Sequence, residues 1–187
     1  MENKRMYFEN CGKKHTDQTL ELAAARAREL GIKELVFAST TGETAYRALE
    51  ICKDLSLIMV TCHCGVKTPF ESLLAQDVRE DLTKKGVKIV TASHALSGVE
   101  RAVARKHSGI YPALLIADTL RLFGQGTKVA VEIALMAADS GMLSGEDIVA
   151  VGGSGTGADS ALVLKPASQP DLFDLKIREI ICKPRQF

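Results

Sequence analysis

The chain has 187 residues, of which 46% are hydrophobic and 25% charged, and its formal net charge is +1. This size and composition predict one globular domain over residues 1–187, and they argue against nucleic acid or a membrane surface as the main partner. No apolar run is long enough to cross a bilayer, and the first ten residues lack the apolar core of a signal peptide. We therefore expect a cytoplasmic protein.

Strands and helices are predicted to alternate along the chain. Helices are predicted at residues 16–30, 43–54, 68–85, 97–106, 112–123 and 128–141. Strands are predicted at residues 32–38, 56–61, 87–91, 147–151 and 161–164, with residues 175–182 as a further strand at the sheet edge. Helices between strands imply a parallel sheet covered on both faces. Only a glycine-rich loop joins strands 147–151 and 161–164, so these two should be antiparallel neighbours.

The segment from Glu34 to Glu50 is the most informative part of the sequence. A buried strand ends in a hydroxyl-rich loop, and a helix begins at once. Backbone N–H groups and the dipole at a helix N-terminus favour an anion, and the loop hydroxyls add donors. The candidate phosphate contacts are Ser39, Thr40, Thr41, Gly42, Glu43 and Thr44. An ordinary strand–helix turn with Thr41 as N-cap is the alternative that these residues leave open.

A second glycine-rich segment lies between the last two predicted strands. It contains Gly152, Gly153, Ser154, Gly155 and Thr156, followed by Gly157. It is not a dinucleotide fingerprint, because the residues that follow are typical of a strand and not of a helix. A hairpin turn would explain some of the glycines, but four in six residues favour an anion-binding loop.

The loops after the parallel strands should converge on one rim of the sheet, where ligands bind in such folds. Thr61 and His63 end the second strand, and His94 follows the third. These three residues are further candidate ligand contacts. His94 could bind a ligand or act in acid–base chemistry, or its ring could be satisfied by nearby backbone.

Five cysteines, at positions 11, 52, 62, 64 and 182, show no disulfide framework spacing. Reduced thiols are the expected state. Cys62-His63-Cys64 supplies only half of a zinc ligand set, so we predict no metal site there.

Two segments closely resemble the C-terminal α/β domain of pyruvate kinase. Residues 38–45, ASTTGETA, are similar to its phosphate loop, and residues 145–155, GEDIVAVGGSG, are similar to its last hairpin. Residues 91–100 and 119–129 are similar to the stand-alone archaeal-type proteins that consist of this domain only. The resemblance spans about residues 31–164.

This resemblance implies a three-layer α/β/α sandwich around a mixed five-stranded sheet of order 3-2-1-4-5, with strand 5 antiparallel. It also implies a domain without the catalytic barrel, and therefore without pyruvate kinase activity of its own. In some pyruvate kinases this domain binds a sugar-bisphosphate effector. Here Tyr46 precedes Arg47, and residues 156–159 read TGAD, and both departures argue against a sugar bisphosphate.

The stand-alone proteins of this type are associated with flavin mononucleotide (FMN). The resemblance therefore implies an FMN-binding protein, whose single phosphate would lie at residues 39–44. Two alternatives stay open: a flavin-dependent or sugar-phosphate enzyme that uses His94 or Cys62, and a regulatory or oligomerisation module, including a homo-oligomer.

Overall fold

The computed structural model describes residues 6–187. Residues 1–5, which the single-domain prediction includes, lie outside this range. The strands are β1 (Met6–Asn10), β2 (Glu34–Ala38), β3 (Ser56–Cys62), β4 (Lys88–Ala92), β5 (Ile148–Gly152), β6 (Ser160–Lys165) and β7 (Lys176–Gln186). The α-helices are α1 (Thr16–Leu30), α2 (Glu43–Ile51), α3 (Gln76–Lys84), α4 (Gly98–Lys106), α5 (Pro112–Arg121) and α6 (Gln125–Asp139). Short 3-10 helices occupy Lys13–His15 and Gln169–Asp174.

All seven described strands form one sheet, in the order β1-β7-β6-β5-β2-β3-β4. Strands β5, β2, β3 and β4 run parallel, and β6 is antiparallel to β5. The predicted order 3-2-1-4-5 with an antiparallel fifth strand is therefore confirmed for β4-β3-β2-β5-β6. The strand count of five is wrong, because β7 pairs antiparallel with β6 and β1 pairs parallel with β7. These two strands cover backbone groups that an edge strand would leave unpaired.

The two faces of the sheet are covered by different helices, as the alternation of side chains along each strand requires. Leu35 and Phe37 of β2 face a core that they share with α1, α2 and α3. Val36 faces the opposite core, which α6 closes. The α/β/α sandwich predicted from the sequence is therefore confirmed.

Helix α6 is the most deeply placed helix. It contacts the sheet through β5, β6 and β2, and α5 packs on its other side through Leu135 and Ala117. A helix covered on both sides must be buried nearly all round. Two charged residues of α6, Lys128 and Glu132, are accordingly 4% and 1% exposed.

The predicted start of the third helix, at residue 68, is wrong. The sequence of Thr68, Pro69 and Glu71 predicts a capping box, but α3 begins only at Gln76. The Glu71 N–H donates to the Thr68 carbonyl at 3.2 Å, and Phe70 adopts a φ of 65°, so these residues form a turn. The turn allows Leu74 to be buried beneath α2, 3.5 Å from the position of a Cβ on Gly42. Tertiary packing thus overrides the local capping signal.

Within residues 6–187, none of the helices combines the length and the apolar character needed to cross a membrane.

Candidate functional site

A cavity of about 560 Å³ opens at the carboxyl ends of β2 and β3, beside α6. Ten of the predicted site residues line it: Ser39, Thr40, Thr41, Glu43, Thr44, Thr61, His94, Gly153, Gly155 and Thr156. Four do not: Gly42, His63, Gly152 and Ser154. The predicted convergence of the strand-end loops is therefore present in the structure, with specific exceptions.

The loop between β2 and α2, residues 39–44, is hereafter the hydroxyl loop. Its first half is anchored to β3: the Ser39 N–H donates to the Val60 carbonyl at 3.1 Å, and the Thr61 hydroxyl donates to the Thr40 carbonyl at 3.3 Å. Ser39 is buried, whereas Thr40 and Thr41 are exposed. The anchor fixes the direction in which α2 leaves the sheet.

The N-terminus of α2 lacks a side-chain cap. Gly42, with a φ of 94°, occupies the N-cap position that was an alternative role for Thr41, and no side chain among residues 6–187 hydrogen-bonds to the first turn. The first N–H groups of a helix have no partner within the helix. Glu43 and Thr44, the first two residues of α2, both line the cavity. The Glu43 carboxylate pairs with Lys13 and is 62% exposed.

Gly42 has a packing role in the structure. A Cβ there would lie 2.6 Å from Val78 Cγ1 and 3.3 Å from Leu82 Cδ1. The side of Gly42 that would carry a side chain therefore faces α3. The glycine is required for the approach of α3 and for the positive φ.

Residues 152–157, hereafter the glycine loop, also owe several of their glycines to packing. A Cβ on Gly152 would overlap the carbonyl oxygen of Gly126 and lie 2.8 Å from Ala130 N in α6. A Cβ on Gly157 would lie 2.5 Å from Thr16 Oγ1. Only Gly155, with a φ of 96°, has open space around it. Gly152 thus lies at a close helix–sheet contact, between β5 and α6.

Asp159 is fully buried and hydrogen-bonds to the backbone of the glycine loop. Its Oδ2 accepts hydrogen bonds from Gly12 N at 3.1 Å and Ser154 N at 3.2 Å, and its Oδ1 accepts one from the Ser160 hydroxyl at 3.0 Å. The Ser154 residue does not line the cavity, and its Oγ is buried without a partner among the described residues. The conformation of the glycine loop is therefore determined mainly by packing and hydrogen bonds within the protein.

The α6 wall of the cavity contains a buried charged network. Glu132 accepts hydrogen bonds from His94 Nδ1 and from Leu96 N, each at 3.0 Å, and pairs with Lys128. Burial by itself raises the pKa of Glu132, but the donors from His94 and Lys128 outweigh it and hold that pKa down at about 2. For Lys128 the effect of burial is larger than that of the neighbouring carboxylate, so the pKa of Lys128 is lowered. Because Glu132 has three donors and Lys128 one partner, the carboxylate is the better-satisfied member of the pair.

His63 lies beside the cavity without lining it. Its Nδ1 donates to the Cys64 carbonyl at 2.6 Å, and its ring stands edge-on to that of His94 with 6.2 Å between centroids. Cys62 lines the cavity and Cys64 is exposed. In the part of the chain that the structure describes, no three His, Cys, Asp or Glu side chains are grouped as a metal site would require.

Sequence reasoning missed the α6 side of the cavity. Gln125, Val129, Glu132, Ile133 and Met136 all line it, and so does Lys67 from the loop after β3. The α6 residues recur at intervals of three and four, which is one helix face. The apolar residues of this face are typical of any core helix. The polar residues Gln125 and Glu132 on the same face are therefore the sequence feature that could have indicated a cavity wall.

The comparison with known families agrees with this architecture. Residues 17–164 match the sequence model of the family described as pyruvate kinase, alpha/beta domain. The match covers most of the 187-residue chain, including the hydroxyl loop, the glycine loop and helix α6. The chain therefore belongs to the pyruvate kinase alpha/beta domain family.

Proposed function

We propose that this chain binds a phosphorylated small molecule in the cavity, with the phosphate at the N-terminus of α2. The observation that carries the proposal is the uncapped first turn of α2, whose first two residues, Glu43 and Thr44, line the cavity. Such a terminus combines oriented donors with the positive end of the helix dipole.

The hydroxyl loop supports the same assignment. The side-chain hydroxyls of Thr40, Thr41 and Thr44 make no hydrogen bond within residues 6–187, and all three residues line the cavity. Lys67, on the opposite loop, adds a positive charge to the wall. Neutral and charged donors are therefore both available to a phosphate.

FMN is the ligand that we propose to test first. A volume of about 560 Å³ is in the range of small-molecule and cofactor sites. FMN carries one phosphate, which the N-terminus of α2 in the wall would bind, and its ring would lie against the apolar side chains of Val129, Ile133 and Met136. The family resemblance to stand-alone FMN-associated proteins points to the same ligand.

A variant at Thr41 tests the phosphate position. Thr41 is exposed and precedes the helix, so Thr41→Asp should fold normally, because an acidic group near a helix N-terminus is favourable. The same charge should repel the phosphate and weaken FMN binding roughly 10- to 100-fold, since hydrogen bonds to charged groups contribute about 1.5–3 kcal/mol. Riboflavin, which lacks the phosphate, should bind Thr41→Asp as it binds the wild type.

The matched control is Thr41→Asn, which has the shape of aspartate without its charge and should bind FMN within a few-fold of the wild type. Fluorescence titration of both flavins against the three proteins decides the outcome. Equal weakening of FMN and riboflavin would place the phosphate elsewhere, and a wild-type protein that binds no FMN would remove the flavin from the proposal.

A second candidate function is a flavin-dependent or sugar-phosphate enzyme. One observation favours it: the His94 ring lies in the cavity wall and is oriented by a buried carboxylate, as acid–base histidines often are. Oxidation of a reduced nicotinamide by the FMN-loaded protein, at a rate above that of free FMN, would distinguish this enzyme from a binding protein.

A further inference from the structure

His94 and Glu132 meet in the wall of the cavity from different elements. His94 follows β4 and its side chain is 45% exposed, whereas the Glu132 side chain, from α6, is 2% exposed. The hydrogen bond between Nδ1 and Oε2 is 3.0 Å long. An exposed imidazole is thus attached to a buried carboxylate at the surface that a ligand would touch.

This contact determines which ring nitrogen a ligand can reach. An ionised carboxylate only accepts hydrogen bonds, and the lowered pKa of Glu132 keeps it ionised at neutral pH. Nδ1 must therefore carry a proton and donate it to Glu132. The nitrogen left for the cavity is Nε2, and in the neutral ring it is a hydrogen-bond acceptor.

Glu132 is itself held in place by two further donors. Leu96 N donates to Oε1 at 3.0 Å, and Lys128, 5% exposed in its side chain, pairs with Oε2. Glu132 thus holds both the side chain of His94 and the backbone two residues further on. Buried charges are unfavourable unless they are paired and hydrogen-bonded, and Glu132 meets both conditions here.

We propose that His94 recognises a hydrogen-bond donor of the ligand through Nε2, and that Glu132 is the positioning residue that holds the ring for this contact. The inference rests on the proposed function and deepens it: the site takes a phosphorylated molecule that also carries an O–H or N–H group beyond the phosphate. FMN offers both, in its ribityl hydroxyls and in the N–H of its ring.

Two substitutions of nearly equal size test the contact. Asparagine can place its amide nitrogen near the position of Nδ1 and still donate to Glu132, but it has no atom near Nε2. Glutamine can place an amide near Nε2. We expect His94→Asn to weaken FMN binding roughly 3- to 10-fold, which is the contribution of one hydrogen bond. His94→Gln should stay within about twofold of the wild type.

A merely structural role predicts the reverse order, because His94→Asn keeps the contact with Glu132. Equal affinities of the two variants, or weaker binding by His94→Gln than by His94→Asn, therefore overturn the ligand contact. Thermal melting of each variant accompanies the titration, so that a loss of folding is not read as a loss of affinity.

The positioning role is tested without a ligand, by NMR of the histidine ring nitrogens. The chain has four histidines, and the signal that disappears in His94→Asn identifies His94. In the wild type the proton of the neutral ring should be on Nδ1. In the double variant Lys128→Met/Glu132→Gln, which removes both buried charges together, this preference should be lost or reversed.

A wild-type ring protonated on Nε2, or an unchanged tautomer in the double variant, overturns the positioning role. Failure of the wild type to bind FMN removes the flavin from the proposed function and overturns the contact of His94 with it, and the ring-nitrogen spectrum still decides the role of Glu132. The two failures are therefore distinguishable.

Discussion

The hydroxyl loop and the glycine loop have similar small-residue sequences, yet they differ in what their residues contact. In the hydroxyl loop, Thr41 and Thr44 lie in the cavity wall at an uncapped helix terminus. In the glycine loop, Gly152 and Gly157 face other backbone segments at contact distance. Residues of both loops line the cavity, but in the second loop several glycines are also required for close packing within the protein.

The difference shows that a cluster of glycines does not by itself indicate a ligand. Gly152 allows α6 to approach β5, and the buried Asp159 binds the backbone behind the loop through Gly12 and Ser154. The hydroxyl loop has one titratable residue, Glu43, which is exposed and paired with Lys13. Substitutions should therefore affect mainly stability in the second loop and mainly ligand affinity in the first.

The largest effect is expected for Gly152→Ala. Its Cβ would overlap the Gly126 carbonyl oxygen and lie 2.8 Å from Ala130 N, and both are backbone atoms that cannot rotate away. Overpacking of this kind forces the helix from the sheet, and we expect a loss of about 4–5 kcal/mol in the free energy of unfolding. Urea denaturation followed by circular dichroism measures it.

Gly155→Ala is the matched control in the same loop. Nothing lies within 4 Å of a Cβ there, and only the φ of 96° opposes the substitution. The expected loss is about 1 kcal/mol. If both variants lost the same stability, the assignment of Gly152 to packing would be contradicted.

A smaller effect is expected for Asp159→Ala. This change leaves the N–H groups of Gly12 and Ser154 and the Ser160 hydroxyl without their acceptor in a buried site. Breaking such a network should reduce the free energy of unfolding by about 3–4 kcal/mol. Asp159→Asn keeps one carbonyl oxygen for the two N–H groups and should lose less than half as much.

A substitution in the hydroxyl loop should change the free energy of unfolding much less than Asp159→Ala does. Thr41→Asn, the control used for phosphate binding, changes an exposed residue and should alter stability by no more than about 0.5 kcal/mol. Chemical denaturation of the three variants under one set of conditions makes the comparison. A Thr41 variant as unstable as Asp159→Ala would show that the hydroxyl loop also carries the fold.

The central fold was predictable because its signals are local. Runs such as residues 34–38, helices that stop at glycines such as Gly31, and the absence of a helix between β5 and β6 together predict a parallel sheet with an antiparallel last pair. The order of the five strands was implied by the family resemblance and not by these local signals. β1 was not predictable, since in its sequence MYFEN only Phe8 is buried. Its pairing with β7 depends on residues at the other end of the chain.

The site was predictable to the same extent. Loops after parallel strands must share one rim of the sheet. The position of Ser39, Thr44 and His94 in the cavity wall could therefore be predicted from the sequence. The role of Gly42 could not, because it depends on Val78, which is distant in sequence. The contact of Glu132 with His94 could not be predicted for a different reason. Nothing in the sequence around an acidic residue on an apolar helix face indicates which distant side chain it will contact.

The smallest effect is a pH dependence that separates the buried charges from the hydroxyl loop. The pKa of Glu132 is about 2 in the folded chain against an ordinary 4.5, so its stabilisation is complete above pH 4.5 and is lost as the pH falls toward 2. The wild type should lose roughly 2–3 kcal/mol more than Lys128→Met/Glu132→Gln over this interval, since each pKa unit corresponds to about 1.4 kcal/mol.

Exposed carboxylates such as Asp54 are common to both proteins and cancel in the difference. Thr41→Asn should follow the wild-type curve, because the hydroxyl loop contains no buried acid. Urea denaturation at a series of pH values gives the difference, and parallel curves for the wild type and the double variant would contradict the assignment of the acid sensitivity to Glu132.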